Sequence, residues 1–141
     1  MIILVERKEY LERVPDKIPF MGTSCCYSWS LMIKKNFPQI YEQVSDSGSP
    51  MRYTANYIKK IDPEAVVVFI GPCTSKKLEA LDTKVKSDVD FVVTFEEVMG
   101  MLAAKDIDVS SIEVENEEEE SSALGRGYPI AGGVAQSVKV T

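Results

Sequence analysis

Residues 65–79 read AVVVFIGPCTSKKLE, and this stretch decides the fold. Its first six residues form a continuous apolar run, which is typical of a strand buried on both faces. The run ends shortly before Cys73, and residues 75–81 then have the composition of a short helix. The stretch therefore predicts a strand, a cysteine at the carboxyl end of that strand, and a helix. In open α/β sheets, ligands bind at this end of the strands.

A second stretch, residues 18–30 or IPFMGTSCCYSWS, has the same order. Residues 18–21 predict a strand, and the adjacent Cys25 and Cys26 follow it. Residues 28–37 then predict a helix, which the next proline stops. The two stretches together hold all three cysteines of the chain. We therefore place the candidate functional site at the carboxyl ends of these two strands.

Strands and helices alternate along the rest of the chain. The remaining predicted elements are helices at residues 2–14, 50–61 and 95–104, and a strand at residues 89–93. This alternation predicts an α/β fold in which a parallel β-sheet is flanked by helices on both faces. We expect a single domain over residues 1–141 that continues beyond Thr141, because the chain stops in what looks like an opening helix. The acidic residues 113–122 predict a solvated loop, with a cation site as the alternative.

The composition excludes several classes of function. A formal net charge of −6 and a pI of about 4.8 argue against a nucleic-acid partner, because phosphate binding needs clustered Lys and Arg. No apolar run approaches the ~20 residues that span a bilayer, so no membrane partner and a cytoplasmic location are expected. Three cysteines leave one unpaired, which disfavours a disulfide framework. Without histidine, the chain cannot supply Ser-His or Cys-His nucleophilic catalysis.

Both cysteine stretches resemble signatures of the FeFe hydrogenase large subunit, in the domain that houses the hydrogen-activating cluster. Residues 23–29 are similar to the family's Thr-Ser-Cys-Cys-Pro-x-Trp loop, and residues 71–79 to its Met-Pro-Cys-x-x-Lys-x-x-Glu loop. Residues 88–98 resemble the strand-to-helix step Ile-Asp-x-Val-x-Thr-Thr-x-Glu-Leu, and residues 132–134 the family's Gly-Gly-Val. The resemblance implies that this chain is one lobe, or a fragment, of such a domain.

The resemblance implies a role for each cysteine. In the family, the second cysteine of the first loop and the cysteine of the second loop ligate a 4Fe-4S cluster, so Cys26 and Cys73 are the expected metal ligands. The first cysteine of the pair relays protons to a diiron site, so Cys25 is the expected proton carrier. A thiol just before a helix also lies where backbone N–H groups lower the pKa of a thiol. The alternative is that one or more of the three are inert buried cysteines.

Further contacts to the cofactor are implied in the second loop and in the Gly-Gly-Val segment. Lys76 matches the family lysine that holds a cyanide ligand of the diiron unit through a charged hydrogen bond. Glu79 matches the glutamate of the same signature. Pro72, Gly132 and Gly133 match positions that bind the cofactor. The alternative is a solvated lysine at residue 76 and an ordinary surface ion pair at residue 79.

Glu6, Glu9 and Arg13 lie at positions i, i+3 and i+7 of the first predicted helix, hence on one face. With a one-residue gap they match the proton-relay glutamates of the family and the arginine at the outer end of the relay. Ser45 matches the relay serine. The resemblance thus implies a proton path through these four residues. The alternative is an i, i+4 ion pair between Glu9 and Arg13 on a solvated face.

The chain departs from the family pattern around the diiron pocket. Tyr27 stands where the family has proline, Gly71 where it has methionine, and residues 128–131, Tyr-Pro-Ile-Ala, where it has Phe-Gly-Ala-Thr. The third family signature, which supplies two more cysteines, is absent from these 141 residues. We therefore expect a 4Fe-4S cluster as the cofactor, do not assign the diiron subcluster, and expect no hydrogen evolution by the chain alone.

Three functions are consistent with these residues. The first is an iron-sulfur domain that binds a 4Fe-4S cluster for electron transfer or redox sensing. Its partners would be an electron-transfer protein such as a ferredoxin, and the remaining part of the parent chain or another subunit. The second is part of an active FeFe hydrogenase. The third is a metal-free domain that binds a partner through the acidic residues 113–120, with a three-thiolate zinc site as a minor variant.

Overall fold

A computed structural model describes residues 2–113 and 123–140, apart from the side chains of residues 2 and 124. Its helices are α1 (Ile2–Arg13), α2 (Tyr27–Asn36), α3 (Pro50–Ile61), α4 (Ser75–Leu81), α5 (Phe95–Ala103), α6 (Ala123–Gly127) and α7 (Gly133–Val140). Its strands are β1 (Val68–Gly71) and β2 (Phe91–Thr94), and two 3-10 helices cover Pro38–Gln43 and Val109–Ser111.

The predicted α/β class is confirmed, because β1 and β2 pair in parallel and helices separate them along the chain. The five predicted helices are present as α1 to α5, and the helix expected to open at the end of the chain is α7. Most of the predicted acidic loop, residues 114–122, lies outside the described residues. The chain divides into two compact units: unit 1 is Met1–Tyr53 with Ser121–Thr141, and unit 2 is Thr54–Glu120. The single domain stays a prediction.

Unit 1 pairs the first helix of the chain with the last. Helix α1 packs against α7, and Arg7 Nη1 donates to the carbonyl oxygens of Val138 and Lys139, both at 3.1 Å. A cation placed on these carbonyls satisfies the acceptors that a helix leaves open at its carboxyl end. Val138 and Ser137 are buried at this contact end of α7. Residues 131 positions apart in sequence therefore close the unit.

The strand predicted at residues 18–21 is wrong. In its place, an isolated parallel bridge joins Gly22 to Val44: Gly22 N donates to the Gln43 carbonyl at 2.8 Å, and Ser45 N donates to the Gly22 carbonyl at 2.8 Å. Pro19 lies within the predicted strand and has no N–H, so a continuous ladder cannot form there. The prediction relied on the apolar residues of this segment and did not take the missing N–H of Pro19 into account.

Unit 2 is built on a β1–α4–β2 arrangement. The register pairs Val68 with Phe91 at one end of the two strands and Gly71 with Thr94 at the other. Asp90 fixes the start of the pair, because its Oδ2 accepts from Val67 N at 2.7 Å and lies 2.9 Å from Lys59 Nζ. These contacts hold the Asp90 pKa below its usual range, the hydrogen bond from Val67 foremost.

The predicted strand at residues 65–70 is real but shorter, and the prediction that it is buried on both faces is wrong. Val66, Val68 and Ile70 are 68%, 48% and 52% exposed, and Phe91, the partner of Val68, is 60% exposed. Paired residues in neighbouring strands share a face of the sheet. One face of this two-stranded sheet is therefore exposed. Among the described residues of unit 2, α4 and α5 pack on the sheet, and they do not cover this face.

Candidate functional site

The first cysteine loop lies in unit 1, between the Gly22 bridge and α2. Trp29 packs directly over Gly22, because a Cβ added to Gly22 would lie only 2.5 Å from the indole ring. Ser24 Oγ donates to the Ser47 carbonyl at 2.5 Å, which ties the loop to the following extended segment. Cys26 is the N-cap residue of α2, has extended backbone angles, and is exposed. The loop thus leaves Cys26 exposed at the start of α2.

The second cysteine loop lies in unit 2, between β1 and α4. Cys73 is exposed, and its carbonyl accepts from Lys76 N at 3.2 Å in the first turn of the helix. Pro72, beside it, is also exposed. Gly71, the departure from the family's methionine, leaves room for the Phe69 ring, because an added Cβ would lie 2.7 Å from that ring. The aromatic ring of Phe69 therefore takes space that a side chain at residue 71 would need.

All three cysteines are described, and none forms a disulfide. A cysteine outside a disulfide is among the most frequently buried residue types, so two exposed thiols, those of Cys26 and Cys73, call for a chemical explanation. Thiolate sulfur is the usual protein ligand of iron-sulfur clusters. In chemistry and accessibility both residues fit that role. Two thiolates are half of the usual four ligands, and within the described residues no group of three or more Cys, His, Asp or Glu could hold a metal ion.

Lys76 and Glu79 form a nearly buried ion pair at the start of α4. Lys76 Nζ lies 2.6 Å from Glu79 Oε2, and the side chains are 15% and 4% exposed. Lys76 is therefore not the solvated lysine of the alternative interpretation, and the ion pair that the alternative expected for Glu79 is present but nearly buried. The neighbouring Lys77 instead pairs with Glu97, at the more exposed surface. The roles implied for Lys76 and Glu79 toward a diiron unit stay predictions. In the structure the two side chains form an ion pair with each other.

The expected relay residues Glu9, Arg13 and Ser45 meet in unit 1. The Glu9 carboxylate accepts four hydrogen bonds: from Ser45 Oγ at 2.5 Å, Arg13 Nη1 at 2.5 Å, Asp46 N at 3.0 Å and Ser47 Oγ at 3.0 Å. Burial alone would raise the pKa of Glu9, but these hydrogen bonds outweigh burial, that from Ser45 foremost, and lower it. Sequence reasoning missed Ser47, although its spacing of two from Ser45 in extended backbone places both side chains on one side.

Arg13 extends this cluster to the backbone. Its guanidinium donates to the Val44 carbonyl at 3.3 Å and to the Glu42 carbonyl, in addition to Glu9. The fork geometry of arginine suits such simultaneous contacts. The interpretation of Glu9 and Arg13 as a pair on a solvated face is therefore wrong, since their side chains are only 17% and 20% exposed.

Glu6 lies on the same face of α1 but in a different environment. It is 1% exposed, and its Oε1 atom has no hydrogen-bond partner among the described residues. Burial raises the pKa of Glu6 and the charge of Glu9 adds to the rise, while a hydrogen bond from the Ser24 backbone acts against it. The pKa values of two carboxyl groups three residues apart are thus shifted in opposite directions, upward for Glu6 and downward for Glu9.

Tyr128, in the turn after α6, is a further residue of unit 1 with a buried polar group. Its hydroxyl oxygen is buried and meets no partner in full hydrogen-bond geometry among the described residues. The Cys25 thiol and the Glu6 carboxyl are nonetheless close enough to act on it: burial foremost, then Cys25 and Glu6, raise the pKa of Tyr128. The sequence showed Tyr128 only as a departure from the family's phenylalanine, and the hydroxyl is the atom by which the two residues differ.

Gly132 and Gly133 shape the turn between α6 and α7. Gly132 has φ +78°, a conformation that favours glycine, and a Cβ on Gly133 would overlap the Gly127 carbonyl oxygen. The backbone of unit 1 thus requires both residues. Their implied contact with a cofactor stays a prediction.

No described helix combines the length and the apolar character needed to cross a membrane.

Comparison with known proteins identifies the family of the chain. The family described as iron only hydrogenase large subunit, C-terminal domain, matches residues 1–141. Iron hydrogenase 1 of Clostridium pasteurianum is 31% identical, over 97% of this chain and 27% of that protein. The cytosolic Fe-S cluster assembly factor NAR1 of Kluyveromyces lactis is 34% identical, over 71% of this chain and 21% of that protein.

Solved structures give the same result. A variant of apo FeFe-hydrogenase HydA1 from Chlamydomonas reinhardtii aligns with a TM-score of 0.66 and 26% identity, over 87% of this chain and 36% of that one. The chain spans about a quarter of the length of the two curated relatives. Its cysteine loops, its parallel strand pair and a family match over all 141 residues agree. The chain therefore belongs to the family of the iron-only hydrogenase large subunit, in its C-terminal domain.

Proposed function

We propose that this chain is an iron-sulfur domain whose Cys26 and Cys73 are thiolate ligands of a 4Fe-4S cluster used for electron transfer or redox sensing. The exposure of these two thiols carries the proposal, because cysteines outside disulfides are ordinarily buried. The cluster, when bound, would supply one-electron chemistry. The remaining ligands would come from the rest of the parent chain or from another subunit, and the electron partner would be a protein such as a ferredoxin.

Cysteine variants of the full-length protein that contains this chain test the proposal. After anaerobic reconstitution with iron and sulfide, we expect the broad visible absorption of an iron-sulfur cluster, with loss or strong reduction in Cys26→Ala and in Cys73→Ala. Cys25→Ala is the matched control, because it lies beside Cys26 but is not an expected ligand. No cluster absorption in the unaltered protein, or equal absorption in all three variants, would contradict the proposal.

A second candidate is part of an active FeFe hydrogenase, and one observation favours it. Among the implied proton-relay side chains, Ser45 and Arg13 both hydrogen-bond to Glu9 in unit 1, and Glu6 lies on the same helix face as Glu9. Such an arrangement has no evident use in a domain that only transfers electrons. Ser45→Ala in the holoprotein matured with the diiron cofactor should then lower hydrogen turnover while cluster absorption is kept. Absence of turnover in the unaltered matured protein would exclude this candidate.

A third candidate is a role in iron-sulfur cluster assembly, which the 34% identity to the assembly factor NAR1 favours. Deletion of the gene should then lower the activities of several unrelated iron-sulfur enzymes in the host cell. A domain that serves one electron-transfer partner would leave those enzymes unchanged. We also propose a cytoplasmic location, which cell fractionation with a specific antibody tests.

The metal-free interaction domain would use the acidic residues 113–120, which lie almost wholly outside the described residues. It stays a prediction. Replacement of all three cysteines by alanine separates it from the iron-sulfur candidates, because only an interaction domain would keep its partner binding unchanged.

A further inference from the structure

The hydroxyl of Ser47 is a polar group that the implied proton relay does not use. Ser47 is partly buried, and its Oγ donates to Glu9 Oε2 at 3.0 Å. The same oxygen accepts from Ser45 Oγ at 2.5 Å. The other oxygen, Oε1, accepts from Arg13 Nη1 and Asp46 N. A carboxylate has about four acceptor positions, so the donors that surround Glu9 fill all of them.

A carboxylate with every acceptor position filled can take up a proton only if one donor gives way. A proton added to Glu9 would otherwise point at a hydrogen that already occupies its position. A backbone amide and a guanidinium have no acceptor capacity, so neither can reverse its hydrogen bond. A hydroxyl can, because its hydrogen rotates and its oxygen then accepts. The donor that gives way is therefore a serine hydroxyl.

The two serine hydroxyls differ in what else holds them. Ser45 Oγ accepts from Ser47 N at 3.1 Å, and Ser45 is 5% exposed. Because a hydroxyl hydrogen cannot point at a donating amide, this contact favours its direction toward Glu9. Within the described part of the chain, Ser47 Oγ makes its hydrogen bond to Glu9 alone, and Ser47 is less buried than Ser45. The Ser47 hydroxyl is therefore the easier of the two to turn.

The backbone of Ser47 is tied to the first cysteine loop. Ser24 Oγ donates to the Ser47 carbonyl at 2.5 Å, and Ser24 lies two residues before the exposed Cys26. The hydroxyl of Ser47 lies on the same residue as this carbonyl. A change in the position of the loop would therefore move the hydroxyl relative to Glu9.

We propose that Ser47 is a positioning residue for Glu9: its amide keeps the Ser45 hydroxyl directed at the carboxylate, and its own hydroxyl is the donor that turns away when Glu9 takes up a proton. Ser24 sets the position of this donor from the cysteine loop. The arrangement needs no bound cluster, and only its use in proton transfer rests on the second candidate function.

Carbon-13 NMR of the full-length protein, labelled at its glutamate carboxyl groups and free of cluster, tests the proposal. The Glu9 signal is identified by its loss in Glu9→Gln. Ser47→Ala removes a donor that helps to lower the pKa of Glu9. The proton affinity of Glu9 should then rise several-fold, because the hydrogen bond to the charged form is the stronger one. Ser47→Thr keeps the hydroxyl and should restore the original titration.

Two further measurements test the separate parts of the proposal. Ser24→Ala keeps the Ser47 hydroxyl but frees its carbonyl, and should shift the Glu9 titration in the same direction by a smaller amount. In the unaltered protein labelled at serine Cβ, the Ser47 signal should follow the Glu9 titration with a larger displacement than the Ser45 signal. A larger displacement of Ser45, or no effect of Ser24→Ala, would overturn the proposal.

Ser110→Ala is the matched control, because Ser110 Oγ also donates to a carboxylate, Asp108 Oδ1 at 2.7 Å, but in unit 2. It should leave the Glu9 titration in place. All serine variants keep the charged residues that contact or act on Glu9, which are Arg13, Asp46 and Glu6.

A Glu9 titration that is unchanged in Ser47→Ala, or that shifts equally in the control, would contradict the proposal. Circular dichroism verifies that each variant is folded. Cluster content is measured separately by absorption, so failure of the iron-sulfur proposal would leave this result readable.

Discussion

At the scale of single residues, the main feature of this protein is the contrast between two glutamates three positions apart. Glu9 accepts hydrogen bonds from two serine hydroxyls, one backbone amide and one guanidinium, whereas Glu6 keeps a buried oxygen without a partner among the described residues. Burial therefore raises the pKa of one glutamate, while hydrogen bonds lower the pKa of the other.

Glu6→Gln and Glu9→Gln should change stability in opposite directions at neutral pH. Glu9→Gln breaks charge-assisted hydrogen bonds and should lower the free energy of unfolding by about 1–3 kcal/mol. Glu6→Gln removes a group whose charged form is disfavoured by burial in the folded state, and should raise the free energy of unfolding. Urea denaturation of both variants measures the two effects. Equal signs would contradict the assigned environments.

The pH dependence of these effects follows from the direction of each pKa shift. The Glu9 pKa is lowered in the folded protein, so its stabilising contribution is present above 4.5, the ordinary value, and is lost as pH falls through the folded pKa. The Glu6 pKa is raised, so its contribution is present below 4.5 and is lost as pH rises through the folded pKa. The gain from Glu6→Gln should therefore grow above pH 4.5, and the cost of Glu9→Gln should shrink below it.

At the scale of elements, the starts of helices α2 and α5 are held in different ways. Helix α2 begins at Cys26 without a side-chain cap, so its position depends on the packing of Trp29 over Gly22. Helix α5 begins with a full capping box, in which Thr94 Oγ1 accepts from Glu97 N and Glu97 accepts from Thr94 N. The Cys26 side chain therefore makes no capping hydrogen bond at the start of α2, whereas the capping box joins β2 directly to α5.

Thr94→Ala should destabilise the protein through the loss of this cap. Thr94 is 5% exposed, and the replacement of an N-cap threonine by alanine costs about 1 kcal/mol. Thr83→Ala is the control, because Thr83 is exposed and lies in a turn of the same unit. Thermal unfolding of the two variants compares them. A Thr94→Ala midpoint no lower than that of the control would show that the capping box contributes nothing.

Gly133→Ala and Gly100→Ala should have opposite effects. A methyl on Gly133 would overlap the Gly127 carbonyl, so the α6–α7 turn must shift, at a cost of about 1–3 kcal/mol. Gly100 lies in α5 with nothing within 4 Å of an added Cβ, and alanine there should stabilise the helix by about 0.5–1 kcal/mol. Chemical denaturation measures both. A neutral Gly133→Ala would show that the turn tolerates the overlap.

At the scale of the whole molecule, the described residues bury little apolar surface. The buried hydrophobic side chains are Ile33, Val44, Met51, Ala55 and Val138. Large hydrophobic residues are exposed on nearly every element, among them Leu11 at 63%, Ile61 at 67% and Leu81 at 77%. Extended apolar surfaces of this kind mark contacts with other polypeptide. We expect such contacts for a chain that spans about a quarter of its relatives' length.

The exposed face of β1 should drive self-association of the chain when it is expressed alone. Sedimentation velocity should show association that rises with concentration, and Val68→Lys with Ile70→Lys should reduce it while the circular dichroism of the helices is unchanged, because both side chains are about half exposed. Ala55→Lys, at a residue 1% exposed, should instead unfold the protein. Association that is unaffected by the two β1 substitutions would place the contact on another surface.

The sequence by itself determined the α/β class, the five helices before the acidic segment, and the position of each cysteine at the start of a helix. These features depend on neighbouring residues, through apolar periodicity, proline and capping. It also placed Glu6, Glu9 and Arg13 on one face, because helical geometry alone decides that.

The tertiary structure decided what surrounds those residues. The Glu9 carboxylate accepts a hydrogen bond from Ser45, 36 positions away, whereas Glu6 is buried and keeps one oxygen without a partner among the described residues. Residues 18–21 do not form the predicted strand, because Pro19 has no N–H to pair. Among the described residues, α4 and α5 pack on the sheet and leave one face of β1 exposed. Burial and hydrogen bonding depend on distant segments, and no local pattern encodes which of two like residues will receive a partner.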